Sequence, residues 1–205
     1  MLSSDLLREH SQGIDAGGLM VRQTPRMLRA SIGPGELLAR PGTIVALQGS
    51  VTVEHEALGL IRISGHGTAY LAEDASEVHL IDILDDRLCV SAPRILALTD
   101  TLSWDVEPTC TSPVISDRPL TMILSGTGQV AVQSRGTPVH LQCDDGPVLA
   151  APKAVVCWSA DLIVSLCPAP LGSPDPGAGG HLVFSGSGGV LVQPAEVDGR
   201  IRRGL

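Results

Sequence analysis

Aromatic side chains are almost absent: Tyr70, Trp104, Trp158 and Phe184 are the only four in 205 residues. Any core must therefore be built from Val, Leu, Ile and Ala rather than stacked rings. With 43% apolar residues there is enough of them for a real core instead of disorder. Positive charge is also scarce. A net charge of −8 and a pI near 5.1 argue against nucleic acid as a partner, since phosphate binding needs a basic surface, and against electrostatic docking on anionic lipid. The one basic cluster, Arg200, Arg202 and Arg203, reads as a solvated tail. No uninterrupted run of about 18 apolar residues is present to span a bilayer. The first ten residues carry Asp5, Arg8 and Glu9 with no apolar stretch after a basic start, which is not a signal-peptide pattern. The expected compartment is the cytoplasm.

Cysteine is present but unorganised. Cys89, Cys110, Cys143, Cys157 and Cys167 are odd in number and scattered, without CxxC or Cys/His ligand spacing, which argues against a zinc site and a disulfide framework. Cys157, beside Trp158 in an apolar run, is expected to be an inert core thiol.

What the chain does have is repetition. Ser64-Gly65-His66-Gly67, Ser125-Gly126-Thr127-Gly128 and Ser185-Gly186-Ser187-Gly188 stand 61 and 60 residues apart, each followed by an alternating apolar stretch. A second phrase recurs around Pro41, Pro93 and Pro152, 52 and 59 residues apart. Val78-His79-Leu80 and Val139-His140-Leu141 follow the first two glycine phrases, and Asp85-Asp86 and Asp144-Asp145 precede the second and third proline phrases. Four markers in register divide the chain into three units, at about residues 26–73, 85–134 and 144–194. Period-2 alternation, 23 Gly and 15 Pro predict an all-β protein of short strands and many turns. Structural roles fall to Gly65, Gly67, Gly126, Gly128, Gly186 and Gly188, where a strand starts with a bulge or tight turn. They fall also to Pro41, Pro93 and Pro152, at a strand's first residue or an edge. The aspartate pairs read as turns. Residues 2–10 could form one or two helical turns, residues 11–24 and 195–205 read as tails, and residues 168–180 as a mobile loop.

No constellation of catalytic residues emerges. His79 and His140 occupy equivalent places and are the one metal-site alternative, as in a cupin-like barrel, but no HxH with a downstream Glu and His accompanies them. Alternation in Val-His-Leu points both rings towards solvent. His66 is replaced by Thr127 and Ser187 in the other copies and reads as a loop variant. Asp82, Asp85 and Asp86 lack the Gly and terminal Glu of an EF-hand loop. The glycine phrases lack the GK[ST] of a phosphate loop and precede strands, so no helix N-terminus is supplied for an anion. Their serines lack a GxSxG elbow.

Further phrases carry a resemblance. Arg26-Met27-Leu28-Arg29, Leu37-Leu38-Ala39-Arg40-Pro41-Gly42, Val45-Ala46-Leu47-Gln48-Gly49-Ser50-Val51, Leu102-Ser103-Trp104-Asp105-Val106, Gly136-Thr137-Pro138-Val139 and Val190-Leu191-Val192-Gln193-Pro194 occur in that order. Together they resemble the bacterial, actinobacterial-type branch of the family named after altered inheritance of mitochondria protein 24, over roughly residues 23–195. The resemblance implies a β-sandwich of the TRAP-like, double-stranded β-helix-like group with internal repeats, self-association, and no catalytic residues to carry over. It also implies a single domain over 23–195 between tails at 1–22 and 196–205. Many relatives carry a Gly-rich amphipathic insertion before the first glycine phrase; here Val53–Leu60 runs almost directly into it.

The expected function is that of a non-enzymatic, self-associating scaffold or interaction protein without a cofactor, a homo-oligomer that could take a protein partner. The alternative is a small-ligand or metal-binding cupin-like barrel, with or without catalysis, using His79, His140 and nearby carboxylates. A third idea is peptide binding by strand addition at a sheet edge.

Overall fold

Strand β2 (Met27–Ile32) shows how the sequence sets the architecture: Leu28, Ala30 and Ile32 are buried while Arg29 and Ser31 face solvent. Period-2 alternation of this kind buries one face of a pleated strand. Two other strands, β7 (Ile95–Thr99) and β12 (Val155–Ser159), are buried at every residue. Their sequences, Ile-Leu-Ala-Leu-Thr and Val-Val-Cys-Trp-Ser, are the short continuous apolar runs of strands covered on both faces.

The computed structural model describes residues 19–33, 35–56, 59–110, 120–167 and 180–194. The remaining strands are β1 (Met20–Thr24), β3 (Leu37–Ala39), β4 (Ile44–His55), β5 (Ile61–Leu71), β6 (Glu77–Ser91), β8 (Leu102–Pro108), β9 (Leu120–Ser134), β10 (Val139–Gln142), β11 (Val148–Ala150), β13 (Ile163–Cys167), β14 (His181–Ser185) and β15 (Gly189–Val192). Pairing is antiparallel, and the described residues hold no α-helix; a 3-10 turn lies at Ala92–Arg94. The fold is all-β, as expected. The larger sheet runs β1-β2-β5-β3-β7-β9-β6-β12-β15-β10, with β4 along β5 and β8 along β9; β11-β14-β13 form a second sheet.

The long strands change partners midway. One edge of β5 pairs with β3 over Ile61–Ile63 and with β2 over Gly67–Leu71, while β4 follows its other edge throughout. In the same way β9 pairs with β8 up to Gly126 and with β7 from Val130, while β6 follows its other edge. In the last unit the strand divides: β14 belongs to the small sheet and β15 to the large one. The partner change bends the sheet around three buried clusters. The central one includes Leu38, Leu98, Leu124, Val130 and Val156. The second gathers Met20, Leu28, Ile63 and Leu71. In the third, Trp158 meets Phe184 edge-on, with ring centroids 5.5 Å apart. Two ladders hold successive units together, β3 on β7 and β6 on β12.

Several local expectations are corrected. The tail expected through residue 24, and the domain start at 23, overlap β1: Met20 is buried in the second cluster and faces Ala30. Pro41, Pro93 and Pro152 lie in turns between strands, where a fixed φ helps and the missing N–H is not needed for a ladder. Asp85-Asp86 is not a turn. β6 runs through it, with a register shift between Leu84 and Asp86 and Asp85 at φ +52°, so the pair forms a β-bulge. Asp144-Asp145 does form a turn. Gly65-His66-Gly67 and Gly126-Thr127-Gly128 lie inside β5 and β9 rather than at strand starts, so His66 is a strand residue. The expectations for residues 2–10, 11–18, 168–179 and 195–205 lie outside the described residues.

Candidate functional site

The glycine phrases occupy the points where the long strands change partners. Gly126 has φ +109° in a space that would admit a Cβ, so conformation is its constraint. Gly67 is constrained by proximity: a Cβ there would collide with the backbone carbonyl of Gln48 on β4. Asp144 links the third phrase to the turn before it, accepting from Ser187 Oγ (2.8 Å) and the Gly188 N–H (3.1 Å). An open depression of about 670 Å³ lies there, bounded by Cys143, Asp144, Asp145 and Gly186 among others.

The two histidines do not come together. His79 is half-buried, and its Nε2 lies 2.7 Å from Ser134 Oγ on β9. Burial holds its pKa below the ordinary imidazole value, with Glu77 pulling up and Arg22 pushing down by smaller amounts. His140 is half-buried on β10, its ring stacked so closely over Gly189 that a Cβ there would strike Nε2. Neither ring points freely to solvent as alternation suggests, because each is covered by the strand beside it. Among the described residues no three His, Cys, Asp or Glu side chains gather as metal ligands. Asp82 accepts from Gln129 Nε2 at 2.7 Å, and Asp86 Oδ1 accepts from the Arg87 N–H at 2.7 Å. Cys157 is fully buried, and burial pushes its thiol pKa strongly up.

Sequence reasoning missed a polar network at the proline-turn end. Arg40 Nη1 donates to the Pro93 carbonyl (2.8 Å), and Arg94 Nη2 donates to the Lys153 carbonyl (2.7 Å), so the three turns are tied in series. Glu73 is ion-paired with Arg40 and accepts from Gln133 Nε2, and Asp74 pairs with Arg135. Gln193 Nε2 donates to the Lys153 carbonyl (3.0 Å), while its Oε1 accepts from the Arg135 N–H (3.0 Å). Arg94 is held below the ordinary guanidinium value by burial first, then by the like charges of Arg135 and Arg40. Gln133 and Gln193 are buried. One signal was available: Glu73, Gln133 and Gln193 stand 60 residues apart at the ends of equivalent strands. The network crosses both ladders between units, and its chemistry is that of a latch.

The apolar surface lies elsewhere. β4 is exposed along nearly its whole length; Val45 and Leu47 are 56% and 40% exposed, and no charged side chain precedes Glu54. Among the described residues β4 pairs with β5 alone and β11 with β14 alone. Each therefore keeps one row of backbone N–H and C=O groups without a ladder. Leu149 on β11 is 53% exposed. A long uncharged edge of this kind is a template for another strand.

Fold and edges together define an antiparallel all-β protein of sequentially joined strand units with unpaired apolar borders. The chain belongs to the family described as Mitochondrial biogenesis AIM24, whose model matches residues 20–195. The resemblance read from its phrases is thereby shown. It is similar in structure to a protein of Streptococcus pyogenes solved by X-ray crystallography, with a TM-score of 0.71 at 17% identity, covering 86% of this chain and 92% of that one. At that identity the likeness concerns the fold. No curated protein matches. Among the described residues no helix is long and apolar enough to cross a membrane.

Proposed function

We propose that this chain is a non-enzymatic scaffold or interaction protein of the cytoplasm that works by self-association and is built from three structural repeats. One observation carries the reading: an apolar, uncharged strand edge at Ile44–Val53 has no partner strand among the described residues, where proteins otherwise blunt such edges with charge, proline or a covering element. The repeat reading is supported by the recurring pairing pattern of β5 and β9, each split at its glycine phrase. The polar groups of the proline-turn end are engaged in holding units together, which supports a structural role for them. Sedimentation velocity across a concentration series tests the proposal. A concentration-dependent or fixed oligomer is expected; a single monomeric species at all micromolar concentrations contradicts it.

A further inference from the structure

The two ladders between units share one register. In the first, Ala39, Leu38 and Leu37 face Ala97, Leu98 and Thr99. In the second, Val90, Cys89 and Leu88 face Cys157, Trp158 and Ser159. Counted from the proline of each unit, Ala39 is Pro41 − 2 and Ala97 is Pro93 + 4; Val90 is Pro93 − 3 and Cys157 is Pro152 + 5. In every opposed pair of both ladders the two offsets sum to +2. The donor of the first edge is always the strand before a proline turn, and the donor of the second is always the strand after the next one.

The third unit has its strand before Pro152, which is β11, and the first unit has its strand after Pro41, which is the start of β4. These are the two strands left without that partner among the described residues. The same rule of offsets opposes Ala150 to Val45, Leu149 to Ala46 and Val148 to Leu47. Val45, Leu47 and Leu149 are all among the large apolar side chains left exposed, whereas the residues of the two formed ladders are buried, from 0 to 8% exposed. Among the described residues the outer edges of β8 and β13 carry no partner strand either, so the free half of β4 beyond Leu47 is common to all units. Only its first half is open where β7 and β12 are covered.

We infer that the β11 edge of one molecule pairs with the start of β4 in a second copy of this chain, in the register Ala150–Val45, Leu149–Ala46 and Val148–Leu47. The inference rests on the self-association proposed above and names its surface. The contact is heterologous, head to tail, and in a closed ring of copies every β11 edge meets the start of one β4.

The test is disulfide linking of the full chain. Adjacent opposed pairs alternate between wide and close spacing in an antiparallel ladder, so two double variants are made, Ala46→Cys with Leu149→Cys and Leu47→Cys with Val148→Cys. An off-register pair, Gln48→Cys with Leu149→Cys, and the unaltered protein with its own five cysteines serve as controls. Oxidation is expected to give covalent species of two or more chains in at least one in-register variant. The linked peptides should be identified by mass spectrometry, and the species lost on reduction and absent from both controls. Linking only in the off-register pair, or in none while the protein still sediments as an oligomer, overturns this interface and leaves self-association standing. A link confined to single chains also overturns it, since the edges would then close within one molecule. Monomeric protein that never links overturns both.

Discussion

Arg40 reaches 53 residues along the chain to donate from Nη1 to the carbonyl oxygen of Pro93, at 2.8 Å, while its guanidinium is ion-paired with Glu73. Arg94 makes the next link, to Lys153. These bonds cross the ladders at their proline-turn ends, so they resist opening of one unit from the next. Arg40→Met keeps much of the stem packing and removes the charge and the donors. A loss of about 1.5–3 kcal/mol in denaturant unfolding is expected, the range for hydrogen bonds made by charged groups. An unchanged midpoint shows that the latch contributes nothing.

Gly126 and Gly67 separate two kinds of glycine constraint. Gly126→Val is expected to cost about 1–3 kcal/mol because φ +109° is strained for a β-branched residue though space is available. Gly67→Val is expected to cost more, since the Gln48 carbonyl must also move. Equal and negligible losses in urea melts contradict the role of both positions in bending β5 and β9.

His79 makes stability depend on pH. Its folded pKa lies below the ordinary 6.5 because burial disfavours the imidazolium. Above 6.5 both folded and unfolded forms are neutral and the group is silent. As pH falls below 6.5 the unfolded chain takes up the proton more readily, so stability declines until the folded pKa is passed and then levels off. His79→Asn is expected to remove this share of the acid sensitivity, read as the difference between the two proteins in melts from pH 7.5 downward. Parallel pH profiles contradict it.

The thiols rank by burial. Cys157 is fully enclosed and Cys89 is pushed up to about 11, both by desolvation. Cys110 and Cys167 are partly exposed. A thiol reagent applied to native protein is expected to label Cys110 and Cys167 first and Cys157 only on unfolding. Early labelling of Cys157 indicates that the central cluster opens.

The sequence made the strand content and the sixty-residue spacing legible because glycine at a bend and alternation in a half-buried strand are local demands. Context decided the rest. The same Asp-Asp pair is a bulge at Asp85-Asp86, where β6 continues, and a turn at Asp144-Asp145, where β10 ends. Val-His-Leu alternates, yet Ser134 and Gly189 cover the rings, because neighbouring strands supply the second face. Met20 lies in a stretch without clear alternation and is buried only because β2 offers Ala30 opposite. The latch of Arg40, Glu73, Pro93 and Gln133 joins residues 33 to 60 positions apart, and no local pattern announces such contacts.

Native mass spectrometry of untagged protein purified without chelator tests the central claim most directly, since it reads subunit number and bound groups together. A defined oligomer carrying no stoichiometric metal or small molecule is the expected result. A monomer that carries one contradicts the scaffold account and makes His79 and His140 the first residues to substitute.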